Sequence, residues 1–131
     1  MPSIDGTRLL RDLYAVREIG KYKTGVHRPT FSAHDVEARH WLAARLTEAK
    51  LDTSIDGIGN VYGRDPTPGR KLLMGSHLET HNHAGWLVGA MGVIFALEVA
   101  RTLGRGIDVG SWADEEVTLV PSSGAGRSAA C

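Results

Sequence analysis

The segment "GSHLETHNHAGW", residues 75–86, places His77, His81 and His83 within seven positions, with Glu79 among them. Imidazole nitrogen and carboxylate oxygen are the ligands that hold zinc, manganese or cobalt ions in hydrolases. A second cluster, "WADEE" at residues 112–116, ends in the adjacent carboxylates Glu115 and Glu116. Neighbouring side chains on an extended segment point in opposite directions. If the chain bends there, one carboxylate can bind a metal while the other faces the substrate. A free carboxylate beside a metal-bound water can serve as general base. The ordinary alternatives are a His-rich polar loop and a solvated acidic pair, and spacing alone leaves both open.

These clusters need elements to position them. Residues 7–19 carry Leu9, Leu10, Leu13, Val16 and Ile19 at helical spacing. A polar, glycine-containing loop, "GKYKTGVHRPTF", follows. Ser32 is an expected N-cap for a helix whose first turn holds Asp35 and whose apolar stripe is Ala38, Trp41, Leu42, Leu46 and Ala49. His34 and His40 lie on or beside that stripe and read as surface or packing residues. "LDTSIDGIGNVYGRD" reads as two strands joined by a tight turn. "KLLMGSH" reads as a buried strand that stops at a functional loop. "GAMGVIFALEVARTLG" reads as a helix ended by Gly104, and "IDVGSWA" as a last strand. A helix of this length between two strands favours parallel pairing, with ligands just beyond the strands' carboxyl ends. The expectation is an α/β fold with a partly parallel sheet flanked by helices. Strands 71–77 and 107–113 should lie side by side, with His77 and Glu116 facing one cleft.

Composition excludes several functions. The chain has 131 residues, enough for one modest core, and 42% are hydrophobic. Fifteen basic and fifteen acidic side chains cancel, which argues against nucleic acid as a partner. The longest apolar run, "MGVIFALEVA", is broken by Glu98 and is too short for a membrane span. The first residues lack the pattern of a secretory signal, and the one cysteine, Cys131, permits no internal disulfide. A cytoplasmic location is expected.

"IDGIGNVYGR", "GSHLETHNHAGWLVGAMGVIFALEVARTL" and "SWADEE", with the approach segment "FSAHDVEARHWLAARLTEAKL", resemble one family in the right order. It is the N-carbamoyl-L-amino-acid hydrolase and allantoate amidohydrolase group of the peptidase M-twenty, aminoacylase-like metallohydrolases. The resemblance covers residues 1 to about 116. It implies the N-terminal part of a metal-binding catalytic domain, with two divalent ions, Zn or Mn, and hydrolysis of ureido or amide C–N bonds in small molecules. It also implies a homodimer formed through a second domain. His77 matches a metal ligand, Glu116 a ligand to the second metal, and Glu115 the catalytic base. Glu79 stands where most members have an aspartate that orients the histidine. His81 and His83 match no ligand position and read as polar loop; His27 has no role that the resemblance supports.

The chain departs from the family at two places. The family reads close to "GG-x-x-DG-x-x-GV", with the aspartate bridging both metals, and here Val88 occupies that position. Valine has no lone pair, and two nearby cations need a shared anion, so weak or single-metal binding is expected. The second departure is the tail. Relatives continue after the glutamate pair with something close to "GHFGSFLG". Removing one guanine from codons for that segment gives codons for "VTLVPSSG", which is residues 117–124 as they stand. Residues 117–131 are therefore expected to be an out-of-frame, unstructured tail in which Cys131 is no nucleophile. An incomplete catalytic domain would leave a sheet edge and an apolar face open. Two readings result: an inactive fragment of an amidohydrolase, or a non-catalytic binding module derived from that fold.

Overall fold

The computed structural model describes residues 1–118; residues 119–131, most of the expected tail, lie outside the described residues. In chain order the elements are α1 (Gly6–Glu18), β1 (Lys21–Tyr22), β2 (Gly25–Val26), α2 (Ala33–Glu48), β3 (Asp52–Ile55), β4 (Val61–Arg64), β5 (Leu72–Ser76), α3 (Ala90–Leu103) and β6 (Ile107–Ser111). The helices begin where local chemistry favours it. Asp5 caps α1 by accepting from the Arg8 amide, and Ser32 caps α2 by accepting from the Asp35 amide. α3 stops at Gly104, whose φ of 70° is left-handed.

The main sheet has the order β3-β4-β6-β5. β3 and β4 form an antiparallel hairpin, β4 runs antiparallel to β6, and β5 runs parallel to β6, from Leu72 beside Ile107 to Ser76 beside Ser111. α3 is the crossover between the parallel pair. This is the mixed α/β architecture, with a partly parallel sheet, that the sequence leads one to expect. α2 packs on β3 and β4, while α3 packs on β5 and β6 with α1 against it. One core, including Leu13, Val16, Leu42, Leu46, Val61, Val93, Leu97 and Val109, fills the space between. No helix among the described residues is long and apolar enough to cross a membrane.

Three details differ from the sequence reading. The polar loop after α1 contains a short hairpin, β1 with β2, whose Val26 also pairs with Ala84 of the His-rich loop. β5 is not a buried strand. It lies at the sheet edge, with Leu72 60% and Leu73 51% exposed, because no strand or helix among the described residues covers its outer side. Leu10 is also half exposed, since its position points away from the α1–α3 contact.

The charged interior is the larger surprise. Glu98 of α3 is fully buried and is bound by Arg8, from Nη2 at 2.7 Å and Nε at 2.9 Å. Asp12 is gripped by Arg101. The Arg28 side chain is fully buried and donates to three backbone oxygens: Nε to Leu78 at 2.8 Å, and Nη1 to Val16 at 2.8 Å and Ile19 at 2.7 Å. Burial draws its guanidinium down to about 10, with Asp35 and Glu79 opposing the shift. Arg28 thereby fastens the end of α1 to the segment that carries His77 and Glu79.

Candidate metal centre

β5 and β6 end side by side, and the chain leaves both at the same edge. Trp112 donates its amide to the Ser76 carbonyl at 2.9 Å, which holds the two exits together. Beyond β6 the chain turns sharply: Asp114 has φ of 57°, and the Val117 amide returns to the Asp114 carbonyl at 3.0 Å. Asn60, from the β3–β4 turn, accepts from the Ala113 amide at 2.8 Å and steadies the start of this turn. The turn brings Glu115 and Glu116 to the same imidazole rather than parting them. His77 Nε2 lies 3.3 Å from Glu115 Oε2 and 3.8 Å from Glu116 Oε1. These three side chains form the one metal-capable group among the described residues, with ligand atoms all within 4.8 Å of one another.

His77 is buried, and its other nitrogen is engaged: Nδ1 faces the Glu79 carbonyl at 3.0 Å. A proton on Nδ1 would leave the Nε2 lone pair aimed at the two carboxylates, the tautomer that metal ligation requires. The Glu79 carboxylate is 3.6 Å from Nδ1 and does something further. Its Oε1 accepts from the Glu115 amide at 2.5 Å and from the Glu116 amide at 3.4 Å. So the backbone carbonyl of Glu79 fixes the ring, while its side chain ties the acidic turn to the β5 exit. Burial pushes the Glu79 carboxyl up from its ordinary range; His77 and the turn amides oppose that shift.

The donor set fits a divalent cation. Glu115 and Glu116 converge on Nε2 of His77, an imidazole and carboxylate set of the kind that holds Zn or Mn. Two ligands on one tetrahedral ion, with bonds of about 2.1 Å, lie roughly 3.4 Å apart. The His77–Glu116 separation of 3.8 Å is within about half an ångström of such an edge.

Val88, at the position expected for a bridging carboxylate, is 52% exposed and offers no donor. Its neighbour Gly89 closes over the His77 ring. A Cβ there would lie 2.4 Å from His77 Cε1, and φ is 72°. Gly89→Ala should therefore cost about 1–3 kcal/mol from backbone strain alone and also displace the imidazole. Gly57→Ala, in open space, should stay within about 0.5 kcal/mol. Urea unfolding of both variants checks this; equal stabilities would show that the ring is not held as described.

The other histidines separate. His34 and His40 are exposed on α2, away from the cluster. His83 stacks on Tyr22 at 4.1 Å between centroids, with His27 4.7 Å from it. His81 is more than loop polarity: its Nε2 lies 2.7 Å from Glu116 Oε2. The sequence offered no spacing rule for that contact, because it depends on how the 80–84 loop returns to β2.

No family model matches the chain. Among curated proteins it is 32% identical over 124 residues to an N-carbamoyl-L-amino acid amidohydrolase of Geobacillus stearothermophilus, covering 86% of this chain and 30% of that protein. It is also 32% identical over 142 residues to a probable allantoate deiminase of rice, Oryza sativa subsp. japonica, covering 88% and 29%. Among solved structures, an amidase of the hydantoinase/carbamoylase family from Burkholderia phymatum superposes with a TM-score of 0.88 at 50% identity, over 90% of this chain and 31% of that one. The chain belongs to this amidohydrolase group. A second carbamoylase-family amidase, from Burkholderia ambifaria, gives a TM-score of 0.81 at 33% identity. The chain thus spans about a third of the length of the carbamoylase relatives it matches.

Proposed function

We propose that this chain is the N-terminal part of the catalytic domain of a metal-dependent amidohydrolase. The substrates of the whole enzyme would be small ureido or amide compounds such as N-carbamoyl amino acids or allantoate. The observation that carries this reading is the convergence of His77, Glu115 and Glu116 at the ends of two parallel strands. His77 and Glu116 would hold a divalent ion, Zn or Mn, with the Nδ1 side of His77 fixed by Glu79. When bound, the ion would supply Lewis acidity toward a scissile carbonyl and toward water. Glu115, with 47% of its side chain exposed, would take a proton from an attacking water and return it to the leaving nitrogen.

With Val88 in place of a bridging carboxylate, the chain as it stands holds one ion rather than two and does not turn over substrate. We infer that residues 117–131 are read out of the frame that relatives keep after Glu116, and that the whole enzyme's remaining ligands are encoded in that other frame. Calorimetric titration with Zn or Mn tests the metal reading. One equivalent should bind, and His77→Ala should abolish it. Two tightly bound ions per chain, or binding unaffected by His77→Ala, would overturn it.

A further inference from the structure

The cluster around His77 extends one residue further than the family pattern accounts for. The Glu116 carboxylate, only 16% exposed, lies between two imidazoles: Oε1 is 3.8 Å from His77 Nε2, and Oε2 is 2.7 Å from His81 Nε2. His81 is not there by free rotation of a loose loop. On one side, the Thr80 amide donates to the Arg28 carbonyl at 2.8 Å. On the other, Val26 and Ala84 exchange both backbone hydrogen bonds, at 2.9 and 3.0 Å. His83 is in turn stacked on Tyr22. The segment bearing His81 is pinned at both ends, directly over Glu116.

We infer that His81 is a metal ligand in this chain, acting with Glu116 on the ion that His77 holds. The inference rests on the metal reading above. Two ligands make a weak site, whereas zinc sites normally use three or four from the protein. His77, Glu116 and His81 supply three, with Glu115 beside them. An imidazole thereby supplies a donor in a centre whose bridging position is occupied by Val88. His81 lies outside the 4.8 Å span of the His77, Glu115 and Glu116 group, but its side chain is 62% exposed, so it has the rotamer freedom to swing inward onto a cation shared with Glu116 and His77.

The competing account is a plain hydrogen bond between His81 and Glu116, and cobalt(II) separates the two. The full chain is titrated with cobalt(II) as wild type, His81→Ala and His77→Ala. Affinity is read from visible absorption, and ligation from paramagnetically shifted, exchangeable imidazole N–H signals. Because His81 is exposed, His81→Ala leaves the core intact, which circular dichroism verifies. Losing a group that only supports a ligand costs roughly 10- to 100-fold in affinity. Losing His81 should cost at least roughly tenfold and remove one of two shifted imidazole signals. Wild-type affinity and both signals in His81→Ala would overturn the inference. A simultaneous loss of binding in His77→Ala would leave the metal reading standing. No cobalt binding by the wild type would overturn both.

Discussion

Replacing Arg28 by alanine should destabilise the fold by about 3–5 kcal/mol, the largest loss expected from any one side chain here. Its guanidinium is fully buried, and Nε and Nη1 donate to the carbonyls of Leu78, Val16 and Ile19. Truncation leaves these oxygens short of donors in a site closed to water, and each such group costs about 1–3 kcal/mol. It also opens a cavity between α1 and the β5 exit. Removal of a partly desolvated charge offsets some of this, which is why the figure is less than the sum of its parts. For a domain of this size the midpoint of thermal unfolding should fall by on the order of 10–20 °C. Arg28→Lys should recover only a fraction, because one ammonium cannot serve diverging carbonyls as a planar fork does. Urea midpoints for the two variants are the measurement. A loss below about 1 kcal/mol in Arg28→Ala would show that the α1 terminus and the His77 segment are held by other contacts.

Arg28 also marks where sequence reasoning stopped. The helices were legible because Leu13, Val16, Leu42 and Leu46 recur at helical spacing, with Ser32 at a cap position. The parallel β5–β6 pair followed from a helix-length crossover between two apolar runs. Nothing in "GVHRPTF" says that its arginine is interior, since basic side chains are ordinarily exposed and the carbonyls that receive this one come from two distant segments. The same holds for Glu98, whose partner Arg8 lies ninety residues away. β5 departs from its apolar sequence for a different reason. An apolar run signals burial only when something covers it, and Leu72 and Leu73 lie at the edge of the sheet. At the site, the His77, Glu115 and Glu116 cluster could be anticipated from strand ends and from family resemblance. The hold of Glu79 on the acidic turn, and of His81 on Glu116, could not, because both depend on the αL bend at Asp114 and the loop anchored at Val26.

Activity should appear only when two changes are made together. The first is Val88→Asp. The second follows from the frame proposed above and continues the chain after Glu116 as its carbamoylase relatives continue, of which it spans about 30%. Val88→Asp alone adds a carboxylate next in sequence to Gly89, which closes over the His77 ring, yet the family's other ligands lie further along its sequence. Frame restoration alone should give a longer protein whose two cations lack a shared anion, so their mutual repulsion prevents the second from binding tightly. Supporting groups around a metal cost roughly 10- to 100-fold when lost. A bridging ligand touches both ions, so its absence should cost roughly 100-fold or more. The two effects will not add, because the ligands act as a unit and neither repair completes it. The assay is release of ammonia or free amino acid from a carbamoyl amino acid or allantoate, with added Zn or Mn, for the four combinations. Only the double repair should turn over. Full activity in the frame-restored protein that still carries Val88 would mean that another residue bridges the ions. A carboxylate, whose two oxygens can each take one metal, is the kind of group that could do so.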